Sequence, residues 1–230
     1  MKTLASLAQQ VELEGFAAVS QMFGVGEMDA IASELQGASL RRTRAGIRHL
    51  LAQEAVRAIA NDSRLIEIAE DILRKGAFPF HATLFDKSRQ ANWLVVWHRD
   101  TALPLREKCD IAGWGPWSLK DGVVYADAPA SALQQVLAIR IQLDDSTAEN
   151  GPLRVLPGTH GRGVLSDDEI HRLAGEIDPV DCTVPKGGII LVRPLAVHAS
   201  SKSKSDQSRR VLHIEYAADR HLGGLELATA

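Results

Sequence analysis

The sequence predicts a mainly β fold, an antiparallel sandwich or barrel that follows a helical N-terminal part. Up to Gly76, apolar residues recur at helical spacing. After Gly76, short runs rich in β-branched and aromatic residues are separated by clusters of Gly, Pro, Asn and Asp. Many short strands without intervening helices favour antiparallel pairing. The 230 residues are predicted to form one domain, mostly helical over 1–76 with a β core over 77–220.

Three amphipathic segments support the helical prediction. The first covers 28–35, where apolar residues share one face, and Gly37 lies just past it. The second covers 48–60 and ends at Asn61-Asp62-Ser63, a sequence that breaks one helix and caps the next. The third covers 65–73. These helices should each bury one face against the β core.

Six runs are predicted to form strands, and a long segment between them is predicted to be irregular. The runs are Phe78–Phe85, Trp93–Trp97, Val136–Leu143, Leu153–Leu156, Ile189–Val192 and Val211–Tyr216. The segment 103–132 contains Gly113-Trp114-Gly115-Pro116-Trp117, and a loop this long is typical of a lid or of disorder. Within it, 122–125 has strand character that fits a lid hairpin or a dimer contact.

The composition is that of an ordinary globular protein with a core. Apolar residues make up 45% and the net charge is −3, so we expect no nucleic-acid or membrane partner. The N-terminus lacks the apolar run of a secretory signal, and no stretch approaches the roughly 18 apolar residues of a membrane span. Cys109 and Cys182 lie far apart, which indicates reduced thiols and a cytoplasmic location.

Two histidines and one aspartate form a candidate metal site. His98 and Asp100 follow an apolar run, and residues two apart on a strand point to the same face. His198 stands at the end of a second apolar run, which begins at Gly188. This ligand set suits Fe(II), because it leaves adjacent coordination positions open for a 2-oxo acid and O₂. The far carboxylate of such a cosubstrate needs a buried cation, and the candidate is Arg209, which is expected on the strand adjoining that of His198. Arg209 and Arg210 face opposite sides of their strand, and the spacing from His198 favours Arg209 without excluding Arg210.

The chain resembles the phytanoyl-CoA dioxygenase family. The resemblance rests on the segments Asn92-Trp-Leu-Val-Val-Trp-His-Arg-Asp100 and Asn150-Gly-Pro-Leu-Arg-Val-Leu-Pro-Gly-Thr-His160, and on the spacing from His198 to Arg209. It implies a double-stranded β-helix (jelly roll) with flanking N-terminal α-helices. It also implies Fe(II), O₂ and 2-oxoglutarate, which is converted to succinate and CO₂ while a C–H bond of the substrate is hydroxylated.

The resemblance also implies roles for individual residues. His98, Asp100 and His198 match the metal ligands, Arg209 matches the arginine that pairs with the 5-carboxylate of 2-oxoglutarate, and Ser200 matches a hydroxyl partner of that carboxylate. Arg140 stands where relatives often carry a residue beside the cosubstrate, although an aromatic residue is common there. Iron halogenases of this broader group replace the metal carboxylate by a small residue, so Asp100 favours hydroxylation or a related oxidation.

The substrate and two alternative functions stay open at this point. A natural-product intermediate is one expected substrate class, and Trp114 and Trp117 on the long loop are candidate substrate contacts. The same ligand set would suit a cupin-like Zn(II) or Mn(II) hydrolase or isomerase, although that function leaves Arg209 unexplained. A non-enzymatic jelly-roll binding protein with a vestigial metal site is the third possibility. His213 shares the strand alternation of Arg209 and is interpreted as a hydrogen-bonded core histidine.

Overall fold

The computed structural model describes residues 3–38, 40–43, 46–88 and 91–230. Two antiparallel sheets dominate it, a five-stranded sheet in the order β1-β10-β7-β12-β2 and a four-stranded sheet in the order β3-β11-β8-β9. In chain order the strands are β1 (Phe16–Val19), β2 (Phe78–Lys87), β3 (Val95–His98), β4 (Ala102–Leu105), β5 (Trp117–Lys120), β6 (Val123–Asp127), β7 (Val136–Gln142), β8 (Leu153–Val155), β9 (Val180–Cys182), β10 (Ile189–Val192), β11 (His198–Ser200), β12 (Arg209–Ala217), β13 (His221–Leu222) and β14 (Leu225–Glu226). We call the two sheets the major and the minor sheet.

The first four helices pack on the outer face of the major sheet, α5 belongs to a second apolar cluster, and α6 packs beside the minor sheet. The helices are α1 (Leu4–Glu14), α2 (Val25–Gly37), α3 (Glu54–Ala60), α4 (Ser63–Leu73), α5 (Ala130–Leu133) and α6 (Asp167–Glu176), with short 3-10 turns at Leu50–Ala52 and Thr159–Arg162. As predicted, Asp62 caps α4, accepting a hydrogen bond from the Arg64 amide at 2.9 Å. No helix within the described ranges is both long and apolar enough to cross a membrane.

Strand alternation on β12 explains how the major sheet separates its core from its polar face. Leu212, Ile214 and Tyr216 join one buried apolar cluster with residues of α1, α2 and α4. The odd-numbered residues of β12, among them Arg209 and His213, point to the opposite face, toward the minor sheet. A one-residue register slip would exchange the two sets, so the apolar packing fixes which polar groups face the interior.

The prediction that 103–132 is irregular was wrong for about half of its length. The segment contains a third antiparallel sheet, β4-β6-β5, and the short helix α5. The strands β5 and β6 form a tight hairpin whose two turn residues, Asp121 and Gly122, have positive φ. The strand character at 122–125 therefore belongs to a hairpin.

The apolar run from Gly188 to His198 is two strands, where the sequence predicted one. β10 lies in the major sheet and β11 in the minor sheet, joined by a turn in which the Ala196 amide donates to the Arg193 carbonyl at 3.0 Å. Pro194, which has no N–H to donate to a sheet, stands in that turn. His198 consequently begins β11, and β11 lies in the sheet that faces Arg209 and β12. Arg209 is therefore not on a strand adjoining that of His198.

Candidate metal centre and carboxylate pocket

The minor sheet brings the three predicted metal ligands together. His98 ends β3 and His198 begins β11, and the two are direct partners in the antiparallel pairing, with ring centroids 4.3 Å apart. Asp100 follows β3, its amide anchored by the Pro194 carbonyl at 3.0 Å. Its carboxylate oxygens lie 3.7 Å from His98 Nε2 and 3.5 Å from His198 Nε2. One ligand atom from each residue lies within 4.8 Å of the others, the spacing that a single metal ion requires.

Both histidines are oriented by the same local contact. Nδ1 of His98 lies 2.9 Å from the Val96 carbonyl, and Nδ1 of His198 lies 2.9 Å from the Ala196 carbonyl. Because a carbonyl only accepts, Nδ1 carries the proton of each neutral ring and donates it. This leaves the Nε2 lone pairs directed at Asp100, the arrangement that supporting hydrogen bonds give to metal-binding histidines.

The electrostatics of the three residues favour the protonation states that bind a metal. Partial burial opposes ionisation of Asp100, but His198 and His98 hold the pKa of its carboxyl well below the ordinary value. Burial lowers the pKa of His198 to about 4, which keeps this ring neutral near pH 7. Burial also opposes protonation of His98, but the nearby Asp100 outweighs it and raises the pKa of His98. A metal cation would displace that proton.

A buried cluster of polar groups faces this centre from the end of the major sheet. Arg209 is 3% exposed, and its Nη2 donates to Ser200 Oγ at 3.3 Å while its Nε donates to the Asn150 carbonyl at 3.2 Å. Ser200 Oγ donates to the Gly151 carbonyl at 2.8 Å. Arg210 points the other way and forms a bidentate ion pair with Asp144, at 2.8 and 2.7 Å. Of the two arginines, only Arg209 faces the interior.

Lys87 belongs to the same cluster, and the sequence reasoning missed it. It pairs with Arg209 across β2 and β12, is 1% exposed, and donates to Ser200 Oγ at 2.8 Å and to the Ser201 carbonyl at 2.6 Å. Burial, then the charges of Arg209 and Arg140, lower the pKa of Lys87 to about 7. The sequence did contain a signal for this role: Lys87 stands in an apolar strand, two residues after Phe85, and so shares the face of the strand that Phe85 occupies. Its register opposite Arg209 could not be read from the sequence.

Arg140 adds a third buried cation. It is 8% exposed, its Nη1 lies 3.2 Å from His213 Nδ1, and its guanidinium lies 5.2 Å from the centre of the Phe85 ring. Arg140 Nε has no hydrogen-bond partner among the described residues. Burial and then Arg140 lower the pKa of His213 to about 3, so this ring is neutral and accepts from Arg140. His213 is thus the hydrogen-bonded core histidine that the sequence predicted.

One pocket of about 260 Å³ contains both the candidate metal ligands and the cations. Its lining comes from both sheets and consists of Phe85, Lys87, Trp93, Val95, His98, Asp100, Arg140, Leu153, His198, Ala199, Ser200 and Arg209. In the described parts of the chain, no carboxylate forms an ion pair with Lys87, Arg140 or Arg209. A pocket with three buried, unpaired cations is a site for an anion.

The two tryptophans predicted as substrate contacts do not line this pocket. Trp114 is buried in a second apolar cluster, and its Nε1 donates to the Gly223 carbonyl at 3.2 Å. Trp117 packs against the same cluster beside Lys108. A neighbouring cavity of about 340 Å³ does extend from His98 to Gly113, Gly115 and Asp127, so part of the segment 103–132 borders the candidate metal site.

Comparison with known proteins places the chain in a family. The model for the phytanoyl-CoA dioxygenase family (PhyH) matches residues 11–211. L-proline trans-4-hydroxylase of Streptomyces griseoviridis is 29% identical over 178 residues, which cover 66% of this chain and 59% of that protein. The chain therefore matches less than two thirds of the length of this relative.

Solved structures share the fold. EctD from S. alaskensis, solved with 2-oxoglutarate and 5-hydroxyectoine, superposes with a TM-score of 0.71 at 20% identity, over 92% of this chain and 74% of that one. AviO1 from Streptomyces viridochromogenes Tue57 superposes with a TM-score of 0.69 at 21% identity, over 96% of this chain and 98% of that one. The predicted jelly roll with N-terminal helices is confirmed, and the chain belongs to the phytanoyl-CoA dioxygenase family.

Proposed function

We propose that this protein is a non-haem oxygenase that uses Fe(II), O₂ and 2-oxoglutarate to hydroxylate, or otherwise oxidise, an unactivated C–H bond of a small molecule, with release of succinate and CO₂. The observation that carries the proposal is the single pocket in which two histidines and an aspartate face three unpaired buried cations. Membership of the family supports it independently.

The residues fit the metal. His98, Asp100 and His198 would hold Fe(II) as a facial triad, with two neutral imidazoles and one ionised carboxylate as donors. Bound there, iron with 2-oxoglutarate would supply the oxidising chemistry that a protein side chain cannot. The protein contributes fixed donor geometry, because the Val96 and Ala196 carbonyls hold both rings in place.

The residues also fit the cosubstrate. Arg209, Lys87 and Ser200 would bind its 5-carboxylate, since a guanidinium, an ammonium and a hydroxyl converge there without a carboxylate partner within the described residues. The apolar side chains of Phe85, Trp93 and other lining residues exclude water from the same space. Exclusion of water strengthens the charge interactions of the bound anion.

A small polar substrate suits the rest of the interior. Beyond His213 on the inward face of the major sheet, His81 of β2 lies 2.6 Å from Glu215 of β12. Polar contacts continue from His81 to the Tyr125 hydroxyl at 3.1 Å, and from there to His49 at 3.0 Å. These groups bond to one another and make this part of the interior polar. The similarity to L-proline trans-4-hydroxylase supports amino-acid-like substrates, and a natural-product intermediate of that polarity fits equally well.

The two alternatives explain less. A zinc or manganese hydrolase would need the open triad but not the buried Arg209, Lys87 and Ser200 cluster. A non-enzymatic binding protein would not need an intact metal triad together with this cluster.

The free thiols of Cys109 and Cys182 support a reducing compartment, and we propose the cytoplasm.

An anaerobic titration tests the proposal. Metal-free protein is titrated first with Fe(II) and then with 2-oxoglutarate, while the weak visible charge-transfer absorption of an iron-chelated 2-oxo acid is followed. We expect the band in the natural protein and its loss in His198→Ala. Arg209→Met should weaken 2-oxoglutarate binding by about 30-fold or more, because one partner of a buried charge pair is worth roughly 2 kcal/mol or more.

Arg210→Met is the matched control for that titration. It removes a neighbouring charge that pairs with Asp144 outside the pocket, so 2-oxoglutarate affinity should stay within about twofold. Iron binding without a 2-oxoglutarate band would contradict the oxygenase and leave the hydrolase or isomerase as the better explanation.

A further inference from the structure

Arg140 is the pocket residue that the proposed cofactors leave unexplained. The 5-carboxylate of 2-oxoglutarate has Arg209, Lys87 and Ser200, and the metal has its three ligands. Arg140 is 8% exposed, lines the same pocket, and contacts none of those three anion-binding groups through a hydrogen bond in the described chain.

The guanidinium of Arg140 is held in place but not satisfied. His213 Nδ1 accepts from Nη1 at 3.2 Å, and Phe85 lies under the group at 5.2 Å. Neither contact neutralises the charge, and Nε has no partner in the parts of the chain described. A buried arginine with no counter-ion and an unpartnered N–H group lowers the stability of the fold. Its presence in the lining of a cavity indicates that an anion binds there.

With the cofactors bound, the pocket would still carry a net positive charge. A divalent metal and the 2-oxoglutarate dianion cancel, and Asp100 offsets one of the cations Lys87, Arg140 and Arg209. Two positive charges remain, or one when Lys87 is neutral. A fully loaded site would therefore still attract a further anion.

We propose that Arg140, positioned by His213, forms a second carboxylate-binding subsite in the pocket, and that the substrate is an organic acid whose carboxylate binds there. The inference rests on the proposed oxygenase function and adds the substrate class to it. A guanidinium carries five N–H donors, and the hydrogen bond to His213 uses one of them, on Nη1. The donors on Nη2 have no partner among the contacts of Arg140 in the described chain and can bind a carboxylate.

Paired probes test the proposal by isothermal titration on the anaerobic Fe(II) and 2-oxoglutarate complex. L-proline, L-leucine and hexanoate are each compared with the corresponding primary amide. We expect at least one acid to bind at least tenfold more tightly than its amide. In Arg140→Met that preference should vanish, while the affinity for 2-oxoglutarate stays within threefold.

A second measurement reports on the subsite without turnover. In protein loaded with Zn(II) and 2-oxoglutarate, the Nε–H NMR signal of Arg140, assigned by its absence in Arg140→Lys, should shift when the acid is added and not when the amide is added. Arg154→Met is the control, because Arg154 pairs with Asp181 on the minor sheet and should leave all affinities unchanged.

Three results would overturn the inference. If no acid binds more tightly than its amide, Arg140 does not bind a substrate carboxylate. If Arg140→Met weakens 2-oxoglutarate binding tenfold or more, the subsite serves the 1-carboxylate of the cosubstrate. If the variant changes neither affinity, Arg140 has a structural role only. In the first and third cases the charge-transfer band would persist, so the oxygenase function would stand.

Discussion

At the scale of single residues, Lys87 shows how burial tunes a charge for binding. Among the described residues, its ammonium group donates only to a hydroxyl and a carbonyl, and two arginines share its pocket. Burial and then Arg209 and Arg140 lower its pKa to about 7. An incoming carboxylate would reverse this shift, because it stabilises the protonated form.

The affinity for 2-oxoglutarate should therefore depend on pH through Lys87. Protonated Lys87 binds the 5-carboxylate, so affinity should fall roughly tenfold between about pH 6 and pH 9. Lys87→Met should bind more weakly at the lower pH and lose most of this dependence. Titrations of the metal-loaded protein at several pH values measure it. An unchanged pH profile in the variant would show that Lys87 does not titrate in this range.

The lowered pKa of Lys87 also predicts the direction in which the free energy of unfolding changes with pH. The pKa of Lys87 is about 7 in the fold against 10.5 for an ordinary lysine, so the unfolded chain binds more protons between those values. Ligand-free protein should accordingly gain stability from this residue as the pH rises from about 7 to about 10. Urea unfolding of the natural protein and of Lys87→Met at both ends of that range checks the sign.

The residue scale is also where the sequence predicts most and least. Strand alternation showed that His98 and Asp100 could share a face, but only the full set of motifs, with His198, made them candidate ligands. The same alternation put Arg209 and Arg210 on opposite sides of a strand, and only the spacing from His198 favoured Arg209. Lys87 required the register of β2 on β12, which depends on packing that a single sequence does not specify. Trp114 was misplaced because its indole fills a remote apolar cluster, and composition cannot tell one hydrophobic destination from another.

At the scale of elements, the turn before β8 holds two of the side chains that would bind the 5-carboxylate of 2-oxoglutarate. The Asn150 carbonyl accepts from Arg209, and the Gly151 carbonyl accepts from Ser200. Gly151 has φ +67°, and a Cβ there would overlap the Ser201 carbonyl oxygen. Only glycine allows the turn to approach β11 this closely.

Gly151→Ala should therefore reduce both stability and cosubstrate binding. We expect a loss on the order of 2–4 kcal/mol in the free energy of unfolding, together with weaker 2-oxoglutarate binding, since the turn must move away from Ser200. Gly122→Ala is the control: its φ is +84° but no atom lies near the added Cβ, so only backbone strain of roughly 1 kcal/mol is expected. Equal losses in the two variants would contradict the role of the close approach.

Elements with long apolar runs were predictable, and short ones were not. The predicted strands of the core correspond to β2, β3, β7, β8, β10 and β12. β4 and β5 were missed because the Gly and Pro residues between them resemble loop sequence, whereas the strand character at 122–125 anticipated β6. β1 was missed because its four residues, Phe16–Val19, follow directly after a helix; they form strand only by pairing with β10.

At the scale of the whole molecule, the pocket exists only where the two sheets meet. The minor sheet supplies the candidate metal ligands and Ser200, while the major sheet supplies Lys87, Arg140 and Arg209. Neither sheet alone could bind 2-oxoglutarate at both ends. The jelly roll was predictable as a class of fold. Which sheet supplies which pocket residues was not, because it depends on the pairing of strands that are distant in sequence.

The pairing of His98 with His198 has a consequence for how fast the protein unfolds. The two residues are separated by a hundred positions in the chain, and closing so long a loop early in folding is entropically unfavourable. If the site forms after the transition state, bound metal and 2-oxoglutarate will leave the refolding rate unchanged and slow unfolding by about tenfold or more. Stopped-flow denaturant jumps with Zn(II) and 2-oxoglutarate, compared with chelator, measure both rates. Faster refolding with ligands would instead show that β3 and β11 meet early, and that the metal site helps to guide the chain to its fold.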